Sequence, residues 1–147
     1  MGYLRRVVTL VAAVALTLAT VACGKGGGGG GDTSAGSAMN STVKDFSISL
    51  DSTSVSAGEV SFKIANDGPS IHEFVVIKTD DALDALPTEG PAVVEDASGL
   101  SNVGEAEDIE SGGTATLTLN LEPGNYVVIC NIEGHYKSGM RAAFTVA

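Results

Sequence analysis

Leu117, Leu119 and Leu121 alternate with Thr116, Thr118 and Asn120, a period of two that fits an extended strand with one apolar face and does not fit a helix. Phe46, Ile48 and Leu50 repeat the pattern, as do Val60, Phe62 and Ile64. Residues 71–78 form an apolar run rich in β-branched residues, and Tyr126–Cys130 and Ala142–Val146 read as two further strands. Asn66-Asp67-Gly68-Pro69 is a turn signal. Many short strands jointed by Gly and Pro predict an all-β fold, a Greek-key antiparallel β-sandwich. Tyr126, entering a strand behind Pro123-Gly124, has the look of a tyrosine corner, whose hydroxyl bonds back to the backbone. Residues 79–112 depart from this pattern, with ten acidic residues and no Lys or Arg. There the spacing predicts a short helix from Asp80 to Leu86, capped by Asp80 and closed by Pro87, then loop and a strand around Val103–Ile109. The segment otherwise reads as a solvated insertion.

The first 22 residues have the form of an export signal: Arg5 and Arg6 precede an apolar run from Val7 to Ala22 that is short for a membrane span. The adjacent arginines are also compatible with twin-arginine export. Thr20-Val21-Ala22-Cys23 resembles a bacterial lipobox, although Thr20 stands where Leu is usual; it marks Cys23 as a lipidated N-terminus. Residues 24–40 hold eight Gly with Ser, Thr and Ala, a tether about 20–25 Å in typical span. The expected organisation is therefore a signal peptide over 1–22, a lipidated and Gly-rich linker over 23–41, and one domain over 42–147. Met39 falls in the tether, which leaves Met140 as the methionine of the folded part. Without the signal the chain has six basic and eighteen acidic residues, a net charge of −12. Such a balance excludes nucleic acid as a natural partner and favours a basic protein face.

Cys23 and Cys130 are the two cysteines, so a lipidated Cys23 leaves Cys130 without a disulfide partner. An unpaired thiol outside the cytoplasm needs burial or a metal. Downstream, Cys130, His135 and Met140 follow one another at five-residue steps, with Gly134 and Gly139 free to make the tight turns that gather them. His72 is the other of two histidines and supplies a fourth donor. Taken singly, His72 and Met140 would be core residues and Cys130 a small buried hydrophobe. Taken together they form a soft set: thiolate and thioether suit Cu(I), and imidazole suits both copper states. Zn²⁺ would accept two His and a Cys, but a thioether is a poor ligand for it.

The stretch Cys130–Met140, with Ser70-Ile71-His72-Glu73-Phe74-Val75 upstream, resembles the copper-binding segments of cupredoxins. In its two four-residue gaps it is most similar to rusticyanin- and sulfocyanin-like members. The resemblance spans residues 42–147 and implies one type 1 (blue) copper per chain, held by His72, Cys130 and His135 with Met140 as the weak axial ligand. It also implies N–H donors to the Cys sulfur from Glu73 and Ile132. His135 would lie near the surface as the electron port, in an apolar patch for which Pro69, Ile71 and Tyr136 are candidates. The function implied is a monomeric, membrane-anchored, extracytoplasmic carrier of single electrons between redox partner proteins. A copper carrier or buffer is the alternative, against which the single Met and two His of the domain count. An immunoglobulin-type sandwich would want a Cys pair and a core Trp, and the chain has no Trp. A multicopper enzyme would need more His than the chain has, so no enzymatic activity is expected.

Overall fold

The computed structural model describes residues 36–147; the expected signal peptide, Cys23 and most of the expected tether lie outside them. Two sheets face each other. The first contains β1 (Ser37–Lys44), β2 (Ser47–Leu50), β4 (Gly58–Asn66) and β9 (Thr114–Leu121), in the order β2-β1-β4-β9. The second contains β3 (Ser54–Val55), β5 (His72–Lys78), β8 (Ser101–Ile109), β10 (Gly124–Ile129) and β11 (Arg141–Val146), in the order β3-β11-β10-β5-β8. A small hairpin, β6 (Thr88–Glu89) with β7 (Ala92–Val93), lies in the 79–112 segment. The connections from β4 to β5, β8 to β9 and β9 to β10 each cross from one sheet to the other, which makes the sandwich.

The sheets are mixed rather than wholly antiparallel. β1 runs parallel to β4, from Ser37 beside Val60 to Val43 beside Asn66, and β3 runs parallel to β11. The reason lies in the connections. β1 and β2 form a tight antiparallel hairpin, and the chain then visits the other sheet as β3 before β4 returns beside β1. A crossover of that kind delivers a parallel neighbour, which a two-residue hairpin cannot do.

The inner faces interlock through alternate residues. Val60, Phe62 and Ile64 of β4 are buried, and the Phe62 ring centroid lies 5.4 Å from that of Phe74 and 5.6 Å from that of Phe144. These aromatic contacts tie the two sheets together. The Tyr126 hydroxyl donates to the Glu122 carbonyl at 2.8 Å, the corner read from the sequence. β5 does not alternate because both of its faces are covered. Phe74 and Val76 enter the main core, whereas Val75 and Ile77 join a second cluster with Leu86, Val93, Val127, Ile129 and Tyr136.

That second cluster corrects the reading of residues 79–112 as a solvated insertion. Leu86 and Val93 are buried, and Leu83 and Leu100 pack beside them over the outer face of β5 and β10. The predicted helix over Asp80–Leu86 does not form. The Asp81 N–H bonds to the Thr79 hydroxyl at 3.1 Å and the Ala85 N–H to the Ala82 carbonyl at 2.9 Å, turns that bend the chain so that Leu83 and Leu86 reach the sheet.

The folded part also begins earlier than residue 42. β1 starts at Ser37, and Met39 has no exposed surface. The small polar residues around it resemble a linker in composition, but Met39, Ser41 and Val43 point inward in strict alternation along β4. Met140 is therefore not the only methionine in the fold. Met39→Ala should destabilise the protein by about 2–5 kcal/mol, the usual cost of emptying a core site. Urea unfolding measures this, and a loss under about 0.5 kcal/mol would place Met39 outside the core.

Candidate metal centre

The register of β5 against β10 brings two distant parts of the chain together. Val75 pairs with Ile129, so His72 at the head of β5 and Cys130 just past β10 meet at one end of the second sheet. The loop leaving Cys130 is a hairpin extension, because β10 and β11 pair up to Ile129 and Arg141. Its two ends are joined by a hydrogen bond from Cys130 N–H to the Met140 carbonyl at 3.1 Å. Met140 N–H in turn bonds to the His135 carbonyl at 3.0 Å. Gly134 and Gly139 have φ of 82° and 113°, left-handed values that other residues rarely adopt, and these permit the two reversals.

Three of the four predicted donors, His72, Cys130 and His135, converge. Cys130 Sγ lies 3.4 Å from His135 Nδ1 and 3.8 Å from His72 Nδ1, and one ligand atom from each of the three residues lies within 4.8 Å of the others. A first-row ion holding sulfur at about 2.3 Å and nitrogen at about 2.0 Å in a trigonal plane sets a nitrogen-to-sulfur separation of about 3.7 Å. The observed spacings bracket that value, so the donors fit one copper ion. His72 and Cys130 are fully buried, while His135 is partly exposed, the placement expected for the surface-proximal ligand. Met140 is buried in the same cluster as Cys130 and is tied through its backbone to both Cys130 and His135.

The electrostatics favour a site that exchanges a proton for a cation. Burial pushes the Cys130 thiol above its ordinary value, the backbone N–H groups of Glu73 and Ile132 pull it back, and the carboxylates of Glu73 and Asp45 raise it again. The Glu73 N–H stands 3.4 Å from the sulfur, the donor expected from the sequence. Burial lowers the His135 pKa, the neighbouring His72 lowers it further, and Asp45 opposes both. The neutral form so favoured is the one in which an imidazole binds metal. Burial also raises the Glu73 carboxyl, followed by repulsion from Glu107, Glu95 and Glu105.

Several residues around the donors give no signal in the sequence. Phe46, read there as one of three alternating strand residues, lies in the β1–β2 turn, is 51% exposed and meets the His135 ring edge-on at 5.4 Å. Asp45 Oδ1 stands 2.8 Å from His72 Nε2, off the direction of a ring N–H, so that buried nitrogen has a carboxylate neighbour without an aligned hydrogen bond. Asn131 binds the 79–112 segment to the loop: its side chain accepts from Val93 N–H at 2.7 Å and donates to Glu95 at 2.6 Å. These contacts link segments far apart in sequence, and only the folded chain reveals them.

The expected apolar patch is only partly present. Pro69 is exposed and Ile71 is 37% exposed, but Tyr136 is buried. Its hydroxyl donates to the Leu83 carbonyl at 2.9 Å and accepts from Leu86 N–H at 3.0 Å, so the ring belongs to the second core rather than to the surface. Phe46 takes its place beside His135.

A family model described as the Sulfocyanin (SoxE) domain matches residues 40–147. No curated protein sequence matches the chain. Among solved structures, the fold is similar to a dithionite-reduced auracyanin from the photosynthetic bacterium Roseiflexus castenholzii, at 23% identity, 75% of this chain, 94% of that one and a TM-score of 0.52. A rusticyanin variant aligns at 19% identity, 76% of this chain, 79% of that one and a TM-score of 0.56. Auracyanin A from Chloroflexus aurantiacus, a "blue" copper protein, aligns at 21% identity, 75% of this chain, 99% of that one and a TM-score of 0.51. At these identities the structural likeness speaks for a shared cupredoxin β-sandwich.

Proposed function

The chain belongs to the sulfocyanin (SoxE) domain family, and on that footing we propose that it is a type 1 copper protein that carries single electrons outside the cytoplasmic membrane. The observation that carries this reading is the gathering of His72 Nδ1, Cys130 Sγ and His135 Nδ1 around one point, at spacings that suit a trigonal copper ion. His72, Cys130 and His135 would be the strong ligands and Met140 the weak axial one. When bound, copper supplies a one-electron couple between Cu(II) and Cu(I).

The protein's part is to hold the donors still. His72 opens β5 and Cys130 directly follows β10, two paired strands, and the loop that carries His135 and Met140 is closed by its own backbone hydrogen bonds. Donors that need not move between oxidation states keep the reorganisation small. The burial of His72 and Cys130 also counts against a copper-delivery role, which needs an open site with fast exchange. His135, partly exposed beside Phe46, is the route by which electrons enter and leave.

Docking would be electrostatic. Glu73 and the carboxylates of Glu95, Glu105 and Glu107 repel one another on one face, which suits a redox partner with a basic docking site. A lipidated Cys23 and the Gly-rich segment behind it would anchor the protein as a monomer at the outer side of the membrane.

Copper-loaded protein should show an intense thiolate-to-copper absorption and a reversible one-electron wave, and Cys130→Ser should lose both. A colourless copper form with no such wave would end the electron-carrier reading, and removal of copper by a chelator within seconds would favour the carrier or buffer role. Oxidation of the reduced protein by a cationic cobalt complex should slow as salt is added while oxidation by ferricyanide speeds up; rates indifferent to salt would argue against acidic docking. Mass spectrometry of the membrane fraction should find a diacylglyceryl group on Cys23, and a mature chain starting beyond Cys23 would remove the anchor.

A further inference from the structure

We propose that Asp45 is a positioning residue for the metal centre, holding His72 in the tautomer that leaves Nδ1 free to bind copper and favouring Cu(II) through its charge. This inference rests on the copper reading above. His72 is wholly buried and faces Cys130 with Nδ1, and for that nitrogen to bind a metal a neutral ring must carry its proton on Nε2. That nitrogen has no aligned hydrogen-bond partner, and a buried donor left so is unfavourable. Asp45 Oδ1 is the carboxylate beside it, 2.8 Å away, close enough for a small rotation of ring or carboxylate to complete the bond. A metal-bound imidazole commonly donates its second N–H in this way, which orients the ring and raises its basicity.

Asp45 is itself held in place. Its other oxygen accepts from the Ser70 hydroxyl at 2.8 Å. The Ser70 carbonyl accepts from the Asn66 side-chain amide at 2.8 Å, and that amide also donates to the Ile109 carbonyl at 2.7 Å. Asn66 Oδ1 receives the Gly68 N–H at 2.9 Å within the β4–β5 turn, and the Asp67 N–H bonds to the Val43 carbonyl at 3.0 Å, which ties that turn to the end of β1. A Cβ on Gly68 would stand 3.0 Å from His72 Nε2 and 2.9 Å from Lys44 Cα, so glycine is what allows the two turns to approach. The β1–β2 and β4–β5 turns thus meet beside one imidazole nitrogen. The Asp45 side chain is 25% exposed, so solvent weakens its field without removing it.

The test uses the full chain at one fixed pH. In the metal-free protein, ¹⁵N NMR of the imidazole should find His72 as the Nε2–H tautomer, and Asp45→Ala should turn it into a mixture. In the copper-loaded protein, Asp45→Asn keeps the shape and removes the charge. It should weaken Cu(II) binding relative to Cu(I) by about tenfold, the lower end of the usual effect of such outer partners. For a one-electron couple that is a rise of about 59 mV in potential. Glu59→Gln, at the opposite end of β4 from Asn66, controls for the loss of one charge and should shift the potential far less. An unchanged tautomer in Asp45→Ala, or a potential in Asp45→Asn equal to that of Glu59→Gln, would overturn the proposal. A chain that binds no copper would defeat the copper reading instead, and the NMR comparison would still decide the role of Asp45.

Discussion

The hydrogen bond from Cys130 N–H to the Met140 carbonyl closes a ring on which the site depends. It extends the β10–β11 ladder by one step and fixes both ends of the loop on the rim of a rigid sheet. Cys130 thereby stays in the core, while the middle of the loop swings His135 out to partial exposure. The third donor comes from the other neighbour of β10, because the Val75–Ile129 pairing sets His72 next to Cys130 across 58 residues of sequence. The ordering of so long a connection is offset by the ladder and the core, not by the metal. The donors are therefore placed by the fold before any ion arrives, and an ion of the wrong preferred geometry gains little by entering.

Such a prebuilt site has an electrostatic consequence. Burial first, and then the carboxylates of Glu73 and Asp45, disfavour a Cys130 thiolate and raise the thiol's pKa, a cost that a bound cation would offset. The imidazole of His135 is biased toward neutrality, chiefly by burial. Metal binding then amounts to replacing one proton by a cation of higher charge, whose extra charge is met by carboxylates already in place. The Glu73 N–H pointing at the sulfur serves both states, since it offsets part of the burial cost of a thiolate and would draw electron density from a metal-bound one.

The three gathered donors were legible in the sequence because their chemistry is rare: Cys130 and His135 lie five residues apart, and His72 is the other of only two histidines. Strand positions were legible for a similar reason, as period-two alternation needs only one chemical contrast along one segment. What the sequence hid depends on partners remote in the chain. Met39 looks like linker until β4 is laid beside it, and Tyr136 looks like surface until Leu83 and Leu86 fold over it. The parallel pairing of β1 with β4 follows from the order in which strands enter the two sheets, which no local pattern encodes. Asp45 and Phe46 sit in a two-residue turn whose composition suggests nothing about the imidazoles they approach.

The 79–112 segment joins stability to recognition. Its apolar residues seal the outer face of β5 and β10, so the strands that carry His72 and Cys130 are covered on both sides and have little freedom to shift. Its polar anchors go to the copper loop itself: Asn131 binds Val93 and Glu95, and the Lys137 ammonium donates to the Gly90 carbonyl at 2.6 Å. Burial raises the Glu73 pKa, and repulsion from Glu107, from Glu95 so fixed and from Glu105 raises it further. The acidic face is thus built on the same framework that holds the donors. Glu73 is the residue after His72, and Glu95 is bonded to the residue after Cys130, so the packing that keeps the site rigid also sets this charge beside it.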